Sequence, residues 1–308
     1  MRGAQRAIGV MLLATSGAVL AAPLAPATKQ SFLFAPPGEP GAKPLAVFYY
    51  KPAHADARSR VLVAIHGVER DGSRARDVWV KAAEKYNVIV LAPEFDADTY
   101  PTAQFQYGGV EQADPARWTF QIVDALFDKV RRDEGLQATS YSLFGHSAGA
   151  QFVHRFMLMM ERTQVDAAVA ANAGTYTFPV YPKMASKQRF PWVLEESRVS
   201  HAALGQRFGR KLTILLGQED TVTNSPDFPN SPAAMLQGAT RYERGHNFFD
   251  AARAQAQRME AVFGWRVQDV PGVGHNSARM AAAAAPLLFG APAVAAADRG
   301  TAAQSSAP

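Results

Sequence analysis

Short apolar runs alternate with helical patterns along most of this chain. A continuous apolar run predicts a strand that is covered on both faces. Such runs occupy residues 46–50, 61–65, 88–91, 141–144, 167–171, 213–216 and 265–267, and residues 31–34 form a candidate edge strand. Helical spacing occurs between them, near residues 71–86, 116–132, 148–161 and 248–262, and again after residue 275. This alternation predicts an α/β fold with a mostly parallel sheet flanked by helices on both faces.

The 308 residues fit one α/β domain with loop insertions, and no internal repeat marks a second domain. Residues 23–289 are the predicted catalytic domain. Residues 290–308 are rich in Ala, Pro and Ser without periodicity, which predicts a disordered tail.

The first 22 residues match a secretory signal peptide. Arg2 and Arg6 precede an apolar run over residues 7–20, and the small residues Ala21 and Ala22 follow. We expect cleavage after Ala21 or Ala22, export to the periplasm or the medium, and no membrane span after processing. An uncleaved anchor is the alternative.

Composition excludes several kinds of site. The chain has no cysteine, so it can have neither a disulfide framework, a thiolate zinc site nor a Cys nucleophile. Removing the signal peptide lowers the formal charge from +5 to +3, and no basic stripe indicates a nucleic-acid partner. Nothing in the sequence implies a metal or a cofactor, and the oligomeric state is left open.

Residues 145–149 read Gly-His-Ser-Ala-Gly and lie between a predicted strand and a predicted helix. A serine at such a sharp turn projects its hydroxyl at the edge of the sheet, and the flanking glycines let the backbone turn. The helix N-terminus then faces developing negative charge. Ser147 is therefore the candidate nucleophile.

An acid and a histidine follow in the chain order that this kind of site requires. Asp220 comes just after the strand at 213–216, and His275 lies in a Gly-rich loop after the next strand. We expect His275 to act as the base and Asp220 to orient it. Glu219 and the loop histidine His246 are the rivals, while His146 is expected to point away from the site.

Two backbone amides are needed to stabilise an oxyanion. Ala148, the residue after the candidate nucleophile, supplies one of them. Val68, in the loop after the strand at 61–65, is expected to supply the other.

Two loops are candidates for substrate contacts. Trp192 and other aromatic residues between positions 175 and 205 could line an acyl pocket or form a small separate core. Arg70, Arg241 and Arg244 could form a basic rim for an anionic chain, against the alternative of solvated surface charge.

These motifs together resemble the polyhydroxybutyrate depolymerase-like esterases of the α/β-hydrolase superfamily. The resemblance covers most of residues 45–288 and includes His66-Gly67, residues 69–73, Trp79, residues 92–94, 145–149 and 217–220, and Gly274-His275. It implies nucleophile, acid and base roles for Ser147, Asp220 and His275, and an oxyanion amide at Val68. The chain differs from many of those depolymerases in having no Cys and no evident polymer-binding module.

The expected function is hydrolysis of ester bonds in a small or oligomeric acyl substrate through an acyl-enzyme. The resemblance extends to enzymes that depolymerise poly(aspartic acid), so amide hydrolysis of an acidic polymer is the alternative. A binding protein on an inactive hydrolase fold is a third hypothesis, which the complete Ser, His and Asp set opposes.

Overall fold

The computed structural model describes residues 23–37, 43–181 and 188–290. The predicted signal peptide and the predicted tail beyond residue 290 lie outside these residues. Within the described ranges the strands are β1 (Lys29–Phe34), β2 (Leu45–Tyr50), β3 (Arg60–Ile65), β4 (Val88–Pro93), β5 (Tyr141–His146), β6 (Val165–Ala171), β7 (Leu212–Gly217) and β8 (Arg266–Val270). The helices are α1 (Gly72–Asp77), α2 (Val80–Tyr86), α3 (Gln121–Asp133), α4 (Ala148–Met159), α5 (His201–Phe208), α6 (Pro232–Met235), α7 (Arg241–Arg258) and α8 (Ser277–Phe289).

The strands form one sheet in the order β1-β2-β4-β3-β5-β6-β7-β8. β1 and β2 are antiparallel to each other, and β2 is antiparallel to β4. All pairings from β4 to β8 are parallel. Because parallel strands end at the same edge, the loops after β3, β5, β6 and β7 meet on one side of the molecule. The predicted α/β class is confirmed.

Two apolar cores cover the two faces of the sheet. Alternate residues of β3 belong to different cores, as the two-residue period of a strand requires. Helices α3, α4, α5 and α7 pack on one face, and α2 and α8 pack on the other. The predicted cover of helices on both faces is therefore confirmed.

Two predicted helices differ from the observed ones at their boundaries. The helix expected over residues 71–86 divides into α1 and α2 at Trp79, whose buried ring packs edge to face on Phe144 and Phe289. The helix expected from residue 116 begins at Gln121, because Trp118 is extended and follows a 3-10 turn at Pro115–Arg117.

The predicted start of the helix at 248–262 is wrong by a wider margin, because α7 begins at Arg241. Thr240 caps it by accepting a hydrogen bond from the amide of Glu243, and Glu243 accepts one from the amide of Ala239. Glu243 bonds to the amide of Ala239 and not to that of Thr240, so the pair is only related to a capping box, but the Thr-x-x-Glu spacing could have indicated the helix start. His246 therefore lies on a helix and not in a loop.

The turn at Ser147 depends on backbone contacts at its two glycines. A Cβ on Gly149 would lie 2.4 Å from the carbonyl oxygen of Ile65 and 2.6 Å from that of His66. A Cβ on Gly145 would lie 2.2 Å from the carbonyl oxygen of Gly149. Backbone atoms cannot yield as a flexible side chain can, so only glycine fits at either position.

Replacing Gly149 with Ala is expected to lower the free energy of unfolding by roughly 2–4 kcal/mol, because the methyl group overlaps fixed backbone. Gly205→Ala is the matched control. Gly205 lies within α5, where the nearest heavy atoms to an added Cβ are 3.8 Å away. There the same change should stabilise the protein by roughly 0.5–1 kcal/mol. Urea unfolding of the two variants measures both effects, and equal stabilities would contradict the packing argument.

Candidate active site

Ser147 occupies a strained turn between β5 and α4. Its φ of 57° and ψ of −117° lie in a region that side-chain-bearing residues rarely adopt. The amide of Ser147 donates to the carbonyl oxygen of Ala171, which ties the turn to the end of β6. Because such strain persists only where the surroundings impose it, the turn is a built feature of the sheet edge.

His275 and Ser147 line the same cavity, whose volume is about 160 Å³. The Nδ1 atom of His275 lies 2.7 Å from Oδ2 of Asp220, a side chain that is 1% exposed. A carboxylate only accepts hydrogen bonds, so Nδ1 carries the proton and Nε2 is the nitrogen left for a partner. Neighbouring Glu219 is exposed. The structure thus places Asp220 in contact with His275, and not the rival acid Glu219.

The loops that carry Asp220 and His275 are joined through Asn172, which follows β6. Its Oδ1 accepts from the amide of Gly217 at 2.8 Å, and its Nδ2 donates to the carbonyl oxygen of Gly274 at 3.1 Å. Asn172 is buried and has a φ of 52°, a conformation that Asn tolerates better than most residues. The sequence analysis missed this residue. An Asn directly after a buried strand was the available signal.

Arg241 lies behind the acid and not on a basic rim. Its side chain is 2% exposed, and Nη1 lies 3.6 Å from Oδ1 of Asp220. Nη2 lies 3.4 Å from Oδ2 of Asp227. Arg241 therefore offsets the buried charge of Asp220 instead of facing solvent.

The predicted rim is wrong for Arg244 too. This side chain is fully buried and donates to the carbonyl oxygens of Gly174, Pro229 and Gly238 at 2.7–2.9 Å. Burial lowers its pKa to about 10. Its contacts link three loops, which accounts for the side chain without a substrate.

The other two predicted substrate contacts, Arg70 and Trp192, do not line the cavity that contains Ser147. Arg70 donates to the carbonyl oxygens of Phe95 and Tyr100, each at 2.8 Å, and covers the ring of Phe105. Trp192 lines a separate cavity of about 130 Å³. Most aromatic residues of the 175–205 segment pack in or against the main core, so they form neither a small separate core nor a wall of the cavity that contains Ser147.

The prediction that His146 points away from the site is wrong. Its ring centroid lies 4.5 Å from that of His275, and it lines the same cavity. The reason is strand alternation, because His146 shares a face of β5 with Phe144, which packs in the core that contains Val273. Burial first, and the neighbouring His275 second, lower the pKa of His146 well below its ordinary value. The ring is therefore neutral at neutral pH.

The two predicted oxyanion donors flank Ser147. Ala148 is the first residue of the 12-residue helix α4, and Val68 lines the cavity. The loop after β3 approaches closely, since a Cβ on Gly67 would lie 3.9 Å from Cβ of Ser147. Both amides thus belong to segments beside the candidate nucleophile.

His66 fixes the conformation of this loop. Its Nε2 accepts from the amide of Phe95 at 2.9 Å, so Nδ1 carries the proton and donates to the carbonyl oxygen of Gly67 at 2.9 Å. Burial lowers the pKa of His66 to about 4. The neutral ring therefore holds the loop that carries Val68.

Among the described residues, no cluster of three or more His, Cys, Asp or Glu side chains could hold a metal ion. None of the described helices has both the length and the apolar composition that a membrane span requires.

Two solved hydrolases share both the fold and recognisable sequence with this chain. A poly(aspartic acid) hydrolase from Sphingomonas sp. KT-1 has a TM-score of 0.79 and 34% identity, covering 86% of this chain and 100% of its own. A poly(3-hydroxybutyrate) depolymerase from Bordetella parapertussis has a TM-score of 0.78 and 31% identity, covering 85% and 89%. A fluorophosphonate-binding serine hydrolase from Staphylococcus aureus shares the fold, with a TM-score of 0.56 and 14% identity over 86% and 98%. No protein-family model and no curated protein matches the chain.

The neutral His66 predicts acid sensitivity. The unfolded chain takes up a proton on this residue near pH 6.5 while the folded protein does so only near pH 4, so stability falls as the pH decreases between these values. At about pH 5 the loss from His66 is about 2 kcal/mol relative to neutral pH.

In His66→Gln, whose amide oxygen can still accept from Phe95, the loss of stability between neutral pH and about pH 5 should be smaller by about that amount. His54→Gln, at an exposed ring, is the control and should keep the wild-type dependence. Urea unfolding at both pH values measures the difference. An identical pH dependence in His66→Gln and the wild type would contradict a neutral buried ring.

Proposed function

We propose that this chain, a hydrolase that belongs to the α/β-hydrolase superfamily, cleaves ester bonds with Ser147 as its nucleophile. The observation that carries this proposal is the 2.7 Å contact between His275 and buried Asp220 beside a cavity that Ser147 also lines. A serine hydroxyl is a weak nucleophile until an imidazole removes its proton. The three side chains provide the groups that this chemistry needs.

In this mechanism the Ser147 hydroxyl attacks the acyl carbon while Nε2 of His275 accepts its proton. Asp220 keeps the other ring nitrogen protonated and stabilises the imidazolium. The amides of Val68 and Ala148 donate to the oxyanion of the tetrahedral intermediate. His275 then gives its proton to the leaving alcohol. In the second stage water attacks the acyl-enzyme with His275 again as the base, which releases the carboxylic acid and restores Ser147.

The N-terminus of α4 supports the same step electrostatically. Its unpaired amides and the positive end of its dipole point toward the turn at Ser147, where negative charge develops. Since these dipoles are fixed by the fold, they need no reorganisation during the reaction.

The substrate class is proposed to be a small or oligomeric ester, supported by the similarity to the poly(3-hydroxybutyrate) depolymerase. A second candidate is amide hydrolysis in an acidic polymer, which the 34% identity to the poly(aspartic acid) hydrolase favours. The chemistry would be the same, except that His275 would protonate an amine. An inactive binding protein is disfavoured, because such a protein has no need for a buried Asp220 in contact with His275.

We also propose that the protein is exported to the periplasm or the medium. The support is the basic, apolar and small-residue pattern of residues 1–22, which lie outside the described structure.

Ser147→Ala is expected to abolish hydrolysis and to leave the fold intact, because only the attacking oxygen is removed. Rates should be measured for the wild type and the variant on p-nitrophenyl esters, 3-hydroxybutyrate oligomers and poly(aspartic acid). Labelling with an organophosphonate should occur only in the wild type. Near-normal rates in the variant would refute the assignment, and a faster wild-type rate on the acidic polymer would favour the second candidate.

Asp220→Asn is expected to lower kcat by about 10⁴-fold, because an amide cannot hold His275 in the required tautomer. Glu219→Gln is the matched control and should remain within about threefold of the wild type, since that side chain is exposed. Steady-state kinetics on one p-nitrophenyl ester measures both. The acid is misassigned if Glu219→Gln is the more damaging change.

A further inference from the structure

Asp227 is a carboxylate of the cavity that the proposed mechanism leaves unused. It lies in the segment between β7 and α6, its side chain is 38% exposed, and it lines the cavity together with Ser147 and His275. Arg241 fixes its position, because Nη2 lies 3.4 Å from Oδ2 and also donates to the backbone oxygen of Asp227 at 3.3 Å. The carboxylate is therefore held at the cavity wall.

One guanidinium serves two carboxylates at this place. Arg241 lies between Asp220 and Asp227, so the three side chains together carry one uncompensated negative charge. Partial burial alone would raise the pKa of Asp227, but the nearby Ser225 hydroxyl and the charge of Arg241 lower it below the ordinary value. Asp227 is thus ionised at neutral pH.

The rest of the lining adds no excess of positive charge. Its other ionised groups are Glu69, Asp71 and Arg74. Glu69 and Arg74 form a pair at 3.2 Å, and Asp71 caps α1 by accepting from the amide of Arg74. With Asp227, the described lining holds three carboxylates and one guanidinium.

We propose that Asp227 is a specificity-determining residue that makes the site select uncharged acyl substrates over anionic ones. This inference rests on the proposed function, since it concerns the substrate of the same site. The cavity of about 160 Å³ brings any charge on the substrate near the scissile bond close to Asp227. At separations below the Debye length, which is about 8 Å at physiological salt, repulsion between Asp227 and a carboxylate of the substrate is only partly screened. A polyanion such as poly(aspartic acid) is then a disfavoured substrate.

The test compares matched pairs of esters that differ by one negative charge. On the alcohol side, 4-butyryloxybenzoate is compared with methyl 4-butyryloxybenzoate. On the acyl side, the p-nitrophenyl monoester of adipic acid is compared with p-nitrophenyl hexanoate. The measured quantity is the anionic-to-neutral ratio of kcat/KM for each pair.

In Asp227→Asn the anionic-to-neutral ratio of kcat/KM should rise by about tenfold for the ester pair whose charge binds nearer to residue 227. Asp250→Asn is the matched control, because it removes the same charge from an exposed site on α7, and its ratio should equal that of the wild type. In the wild type the ratio should also rise with NaCl concentration, and less so in Asp227→Asn, because salt screens the repulsion.

An unchanged ratio for both pairs in a folded Asp227→Asn that still hydrolyses neutral esters would overturn the inference while leaving the proposed function intact. If Asp227→Asn fails to fold, the wild-type salt dependence decides, and a ratio that does not rise with salt overturns it. A wild type that hydrolyses none of the four esters would instead contradict the proposed function.

Discussion

Contact between two backbones at Gly149 is the constraint on which the site depends. The start of α4 lies directly against the carbonyl oxygens at the end of β3, with no room for a side chain between them. This contact brings the segment that carries Val68 beside the turn that carries Ser147. The strain at Ser147 is sustained because β3 and β5 lie between packed cores on both faces of the sheet and α4 packs in one of these cores. The packing of the whole sheet therefore determines the local geometry of the turn at Ser147.

The histidine and its acid are positioned differently, by side chains that reach across loops. Asn172 joins the backbones of the two loops that carry Asp220 and His275, and Arg241 lies against the far oxygen of Asp220. A buried carboxylate without a compensating cation would lose much of its solvation energy. Arg241 offsets that loss, so Asp220 can be kept from water and still be charged beside His275.

The sequence predicted the sheet, most strands and the grouping of Ser147, Asp220 and His275, because local patterns and chain order carry that information. It did not predict the location of Arg241 or Arg244, since a buried arginine and a solvated one look alike in a polar segment. The Thr-x-x-Glu spacing of Thr240 and Glu243 could have placed both on a helix. The orientation of His146 was also within reach, because it follows Phe144 by two residues on one strand. Asn172 had one local signal, its place directly after a buried strand, but its contacts and those of Asp227 join distant loops, which no local pattern contains.

The charges around the cavity allow an imidazolium to form on His275 during proton transfer. Proton transfer to His275 creates an imidazolium, and a second charged imidazole 4.5 Å away would oppose it. Burial prevents this by keeping His146 neutral, as it does for His66 on the oxyanion loop. Two of the charged groups beside the cavity are then the carboxylates that share Arg241. One of them, Asp220, favours the imidazolium from behind, whereas Asp227 faces the space that a substrate would enter. The same guanidinium therefore connects the stability of the acid with the charge that an incoming substrate meets.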